Sequence, residues 1–381
     1  MSRKKQKLIF CVGILSGYLS SVIGQNQAQN LPMQNDISNP VDEYYIKNYD
    51  NRFHSSLKPY LYTTLDSLKD EKINYRHFSV HVYNLRKEFY EDQNQKRRIA
   101  LQILPQLDVQ QGYDMLENKM LNETSGGVYM RADVNEKFSA AVNCTGGYVR
   151  FPNFMDTLVQ SYGIVPGLGI AYREGKGNSS GYNPFAKYSF SNLTGYVSWS
   201  PRKFVNFQAG KDKQFIGDGY RSLLLSDVAN NYPYFKTTIN IWNLQYSSWY
   251  SWFQDIQNAN GYKANFRNKF GTFHYLSWNA TKNINISAFE SVIWQGNDTN
   301  RARGYDLNYL NPVIFYRPVE YSLGSSDNSM LGFNLSFKLA KHVKLYGQFV
   351  MDEFNLQILR KQNGWWANKQ GFQAGFKYID A

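Results

Sequence analysis

From Ile99 onward the chain repeatedly alternates apolar and polar residues with a period of two, and this pattern limits its folds more than any other feature. Ile99, Leu101 and Ile103 alternate with Ala100 and Gln102, and Leu107 and Val109 with Gln106, Asp108 and Gln110. Val128, Met130, Ala132 and Val134 oppose Tyr129, Arg131 and Asp133. After Asn135-Glu136-Lys137, Phe138, Ala140, Val142 and Cys144 oppose Ser139, Ala141, Asn143 and Thr145. Successive side chains on a strand point to opposite faces, so each segment reads as a strand with one apolar and one polar face, and two joined by a short turn read as a hairpin. The pattern returns at 193–199, 205–209, 242–252, 273–275, 284–286, 331–339, 343–349 and 372–378. This gives about a dozen strands, mostly near the length of a tilted membrane strand.

Short turns, such as Ser200-Pro201-Arg202 and Ala340-Lys341-His342, are interspersed with the long intervals 146–182, 210–234 and 295–328. A soluble β-sandwich or propeller also alternates. Composition favours the membrane. Aromatics make up 17% of the residues, with 30 Tyr, while mean hydropathy is −0.53. A barrel with aromatic girdles and a polar inner face accounts for both. The expected fold is all-β, an antiparallel transmembrane outer-membrane β-barrel occupying residues 98–381, with outer-membrane lipid as its surroundings.

Residues 1–24 read as a signal peptide. Arg3, Lys4, Lys5 and Lys7 form a basic start, 8–19 is apolar but too short to span a bilayer, and Val22-Ile23-Gly24 precedes Gln25 as a cleavage site. Cys11 lies inside the signal and Cys144 is the remaining cysteine, so an internal disulfide is not expected. Removing the four basic residues of the signal lowers the formal charge from +12 to +8. For an exported chain that charge points to an anionic envelope surface or glycan and not to nucleic acid.

Residues 25–97 differ from the rest. Asn- and Gln-rich 25–40 reads as a flexible leader. Leu57, Tyr60, Leu61, Leu65 and Leu68 recur at helical spacing, so a small, partly helical periplasmic segment is expected. His54, His77 and His81 fall here, without a carboxylate at zinc spacing, and neither a metal nor a cofactor is expected.

Near the middle, 210–234 spends about twenty-five residues where a hairpin needs two to five, and such loops often carry function. It contains Phe215-Ile216-Gly217-Asp218-Gly219-Tyr220-Arg221-Ser222-Leu223-Leu224-Leu225-Ser226-Asp227, with Tyr232-Pro233-Tyr234 following. Gly217, Gly219, Ser222, Leu223, Leu225, Ser226 and Pro233 match a Gly-x-Gly, Ser-Leu-aliphatic-Leu-Ser, then proline pattern. In this the chain resembles the capsule assembly family of the Wzi type, especially its Bacteroidetes branch, which includes gliding-motility outer-membrane proteins. The stretch Phe53-His54-Ser55-Ser56-Leu57-Lys58-Pro59-Tyr60 also looks like that branch. The resemblance implies an outer-membrane barrel with a small helical periplasmic portion. It also implies non-catalytic attachment or assembly of surface polysaccharide, or adhesion in gliding motility, with other envelope or motility proteins as partners. The family barrel has more strands than this pattern supplies. The ending Phe376-Lys377-Tyr378-Ile379-Asp380-Ala381 lacks a terminal aromatic residue, so a C-terminally truncated barrel is expected.

The residue types allow two roles for this segment. Asp212, Asp218, Arg221, Ser222 and Asp227 can bind sugar hydroxyls, Tyr220, Tyr232 and Tyr234 can stack on sugar faces, and Gly217 and Gly219 let the backbone approach a ligand closely. Alternatively the segment folds into the lumen as a plug and binds nothing. Catalysis is not expected: Ser222 or Ser226 with His274 or His342 lacks a nucleophile elbow, and no carboxylate pair is identifiable. A porin is the main alternative, with Arg131 and Lys338 on the lumen face favouring anionic solutes.

Overall fold

The computed structural model describes residues 28–31, 33, 35–48, 52–61, 85–91, 98–165, 167–174, 187–257, 265–298, 301–302, 304–315, 327–352 and 369–378. The signal peptide, His77 and His81 lie outside these ranges. In order the elements are α1 (Asn35–Asn48), β1 (Leu57–Lys58), β2 (Leu85–Glu91), β3 (Arg98–Asp114), β4 (Lys119–Val134), β5 (Phe138–Val149), α2 (Asn153–Tyr162), β6 (Ile164–Val165) and β7 (Gly169–Glu174). Then come β8 (Lys187–Arg202), β9 (Val205–Asp212), β10 (Phe215–Ile216), β11 (Tyr232–Ile241), β12 (Leu244–Asp255), β13 (Arg267–Asn279) and β14 (Ile284–Gln295). The last are β15 (Asn297–Asp298), β16 (Arg301–Ala302), β17 (Asn328–Ala340), β18 (Val343–Asp352) and β19 (Lys369–Tyr378).

The architecture is an antiparallel all-β sheet with two helices. Its strands pair in the order β19-β18-β17-β14-β13-β12-β11-β9-β8-β5-β4-β3-β2, with β7 also on β8. Sequential neighbours β4–β5, β8–β9, β11–β12, β13–β14 and β17–β18 pair through short turns at one end. Among the described residues, β2 and β19 pair with one strand each.

Register separates the two faces. Asn334 opposes Ser287 and Gln348, and Gln348 opposes Gln373, all on the polar face. Leu335 opposes Ile286 and Gly347 on the other face, where Phe372, Phe376, Leu339, Leu335 and Trp199 are all more than half exposed. A continuous exposed apolar face of this kind suits an apolar surrounding better than water.

The N-terminal segment differs from its expectation. The helix lies earlier, at Asn35–Asn48, within part of the expected leader, whereas Leu57 and Lys58 form a strand. Val41, Asp42, Tyr45 and Ile46 give α1 a buried stripe at helical spacing, and Glu43 pairs with Lys47 across one turn at 2.7 Å. Tyr45 stacks on Phe53 with ring centroids 3.7 Å apart, and Phe53 meets Tyr60 edge-on. This small core rests on the polar face of the sheet. The Lys338 ammonium donates to the Tyr45 carbonyl, the Asn279 amide to the Phe53 carbonyl, and the Asn30 N–H to the Tyr196 hydroxyl. Strand β2, which falls within the expected 25–97 segment, joins the main sheet beside β3.

Candidate functional site

The segment between β9 and β11 folds onto the same polar face and pairs with the N-terminal segment. Strands β10 and β1 form an antiparallel ladder, Leu57 opposite Ile216 and Lys58 opposite Phe215. The Gly217 N–H donates to the Ser56 carbonyl at 2.7 Å, and the Ile216 N–H to the Leu225 carbonyl. Leu57, Ile216 and Leu224 share a buried cluster with Trp249, Phe273, Tyr275 and Phe289 of the sheet. The two segments therefore make one plug.

Ser222 organises the turn after Gly219. Its hydroxyl bonds the Ile216 carbonyl and accepts from the N–H groups of Leu224 and Leu225. Gln348 on β18 holds the same turn, accepting from the Leu223 N–H at 2.8 Å and donating to the Ile216 carbonyl at 3.0 Å. Two glycines let the parts meet. Gly217 has φ 153°, and a Cβ there would lie 2.7 Å from the Gln348 side-chain nitrogen. A Cβ on Gly332 would lie 2.3 Å from a Leu224 methyl.

Two ion pairs, one buried and one part-buried, pin the plug to the wall. Asp218, 1% exposed, pairs with Lys344 of β18 and accepts from Ser55 at 2.6 Å and from Asn334 at 3.0 Å. Lys344 also donates to Ser55 at 2.6 Å. Asp42 of α1 accepts from Lys377 of β19 at 2.9 Å and from the Tyr60 hydroxyl at 2.7 Å. Burial alone would push both carboxyls up. The lysines and hydrogen bonds outweigh it, so both sit below the usual carboxylate range. Lys58 lies buried between the aromatic rings of Tyr60 and Phe215, and burial lowers its pKa. His54, whose Nδ1 is 2.8 Å from the Ser277 hydroxyl, is held down to about 4 by burial and is neutral at pH 7.

The residues named from sequence divide in two. Gly217, Asp218 and Gly219 face the wall, and Tyr232 and Tyr234 are buried on β11, so burial removes them from contact with an external sugar. Asp212 ends β9 and accepts from the Lys213 N–H, while Ser222 is spent on the turn. Tyr220, Arg221 and Asp227 stay together at the surface. Tyr220 is 67% exposed, the Arg221 guanidinium sits 4.7 Å from its ring centre, and Asp227 is 3.9 Å from Arg221. The wall residues that matter most, Lys344, Lys377, Asn334 and Gln348, were not expected. Their signal is position: each occupies the polar phase of its strand. The lysine and arginine expected to line a pore are engaged, Lys338 with Tyr45 and Arg131 with Asp133 at 3.0 Å. Ser222 lies on the polar face and His274 on the apolar face.

No family model and no curated protein matches the chain. Among solved structures, it is similar to a NanC porin at 9% identity, covering 72% of this chain and all of that one, with a TM-score of 0.30. The CymD monoaromatic hydrocarbon channel gives 10%, 78%, 82% and 0.30, in the same order. OmpT, an outer membrane protein of Vibrio cholerae, gives 12%, 77%, 99% and 0.27. At such scores the fold description rests on the register above.

Proposed function

We propose that the chain is an outer-membrane β-barrel whose lumen is closed by its own plug, and that it serves surface polysaccharide attachment or assembly without catalysis. The observation that carries this reading is the joint seating of the described residues of 28–61 and of 213–231 on the polar face. They are laddered to each other through β1 and β10 and pinned by Asp218–Lys344 and Asp42–Lys377. The exposed apolar face supports the membrane location. A general porin needs a wet path along its polar face, and here the plug covers much of that face. Tyr220, Arg221 and Asp227 supply an aromatic platform, a cation and a carboxylate at the surface of the plug, and they are the residues offered to a sugar chain. Gliding adhesion would use the same surface.

The test is a chromosomal deletion in the native host, comparing cell-attached with released polysaccharide. Polysaccharide that is still made but sheds into the medium supports the reading. Unchanged attachment overturns the polysaccharide role, and solute uptake then becomes the assay for the channel alternative.

A further inference from the structure

The apolar face carries one polar row. Thr237, Ser248, His274 and Glu290 oppose one another in turn across β11, β12, β13 and β14, with Tyr246, Tyr250 and Thr272 beside them on the same face. Ser248, His274 and Glu290 are all buried, as are Tyr250, Thr272, Phe270 and Trp294 around them, whereas Trp199, Leu335 and Phe372 elsewhere on this face are exposed. Residues 304–315 cover them.

This strap descends along the strands. The Trp294 indole N–H donates to the Gly304 carbonyl near the long-loop end, and Thr272, sixth of the thirteen residues of β13, donates to the Tyr309 carbonyl at 3.1 Å. Tyr250 donates to the Leu310 carbonyl at 2.8 Å, and Tyr246, third in β12, to the Pro312 carbonyl. The Phe315 N–H donates to the Glu290 carboxylate. Tyr246 has one hydrogen and spends it on Pro312, so the His274 Nδ1, 2.7 Å away, is the donor in their contact. Tyr305 and Tyr309 pack on Trp252, Phe270 and Trp294. The strap's other side shows Leu307 at 73% exposure, with Val313, Phe315 and Leu310 also open.

Irregular backbone does not survive in hydrocarbon unless its polar groups are satisfied within the protein. We propose that residues 304–315 form a strap immersed among the lipid acyl chains, with the polar row as its seat and Leu307, Leu310, Val313 and Phe315 as its lipid contacts. Tyr246, Tyr250 and Thr272 beside the row, with Trp294, give donors to the strap carbonyls, and Glu290 gives an acceptor to a strap N–H. Leu307, Leu310, Val313 and Phe315 continue the apolar surface, and the exposed Asn308 amide is bonded within the strap to Asp306. The proposal rests on the membrane reading above.

The test uses full-length protein with Cys11→Ser, Cys144→Ser and one reporter cysteine, Leu307→Cys on the strap or Leu335→Cys on the bare apolar face of β17. Each is labelled with a fluorophore in phosphatidylcholine vesicles. Quenching by nitroxide-bearing phosphatidylcholine is compared with quenching by aqueous iodide. The expected result is comparable lipid quenching at both sites and little by iodide. Adding Tyr250→Phe and Thr272→Val should then raise iodide quenching at position 307 severalfold while leaving position 335 unchanged. Lipid quenching at 335 with iodide quenching at 307 overturns the strap and keeps the membrane reading. Position 307 shielded from both quenchers means that protein covers it, which also overturns the proposal. Lipid quenching at neither site overturns the membrane reading and the strap together.

Discussion

Two stretches of chain lie across the sheet, one on each face, and they are held in different ways. The plug on the polar face is fastened by charge: Asp218 and Asp42 are each neutralised by a lysine of the wall, with Ser55, Asn334 and Tyr60 filling the remaining acceptor positions. The strap on the apolar face is fastened by aromatic packing and by hydroxyls given to backbone carbonyls, and among the described residues the sheet carboxylate bonded to its backbone is Glu290. In the membrane setting proposed above, the difference follows from surroundings. A charge buried beside a counter-charge and donors is tolerable, whereas toward hydrocarbon the cheapest satisfied polar group is neutral. A seat thus takes on the chemistry of the medium its segment would otherwise face.

The sharpest way to break the comparison is Lys344→Ala. It leaves Asp218 buried without its cation, and we expect a loss of about 3–5 kcal/mol in plug docking. Faster hydrogen exchange at the Ile216 and Gly217 amides would report it, with the strap amide of Phe315 unaffected. The double variant Asp218→Asn/Lys344→Met should recover much of the loss, since neither charge is then stranded.

Acid should loosen the plug. The folded-state pKa of His54, about 4, lies below the free value of 6.5, so the docked plug binds fewer protons than the released one. Docking is then at full strength above pH 6.5 and weakens as pH falls towards 4, by about 3 kcal/mol in total. The depressed carboxyls of Asp218 and Asp42 add a further loss below the usual carboxylate range. Hydrogen exchange at Gly217 followed from pH 7 to 4 measures this, and His54→Gln should flatten the upper part of the profile. An unchanged profile in that variant would remove His54 from the account.

Gly332→Ala tests packing instead of charge. Its new methyl meets Leu224, and we expect about 1–3 kcal/mol of plug destabilisation, relieved by trimming Leu224 to Val. Thr272→Val should cost the strap about 1 kcal/mol and the plug nothing, because one neutral hydrogen bond to the Tyr309 carbonyl is lost. Exchange at the Phe315 and Gly217 amides separates the two effects. Arg221→Ala should change stability by less than about 0.5 kcal/mol, since its pairing is exposed and long. The same variant should weaken polysaccharide retention, and unchanged retention would take Arg221 out of the proposed surface.

Much of the sheet was legible because its alternation is a direct imprint of two faces in different media. Where both faces carry the same kind of residue the signal fails. Strand β11 has Tyr232 and Tyr234 on one face and Pro233 and Phe235 on the other, and its first three residues read as loop. Trp242 read as the start of a strand but occupies the β11–β12 turn at φ 54°. The central segment stood out by length and composition, and Asp218 was named for its charge. What the charge faces was hidden, because Lys344 and Lys377 come more than a hundred residues later on strands whose register only the fold supplies. Helix α1 was hidden because it starts inside the Asn- and Gln-rich 25–40, while its buried Val41, Tyr45 and Ile46 come after that stretch and Val41 and Tyr45 pack against Phe53 and Tyr60, which only the fold brings near. The strap has no periodic signature, as its seat is made by residues of three different strands.

The central claim is a closed lumen, and planar-bilayer conductance of the purified full-length protein tests it most directly. The account predicts no steady conductance from the wild type and channel openings from Lys344→Ala/Lys377→Ala, in which both pins are gone. A steady, anion-preferring conductance from the wild type, unchanged in the double variant, would contradict it.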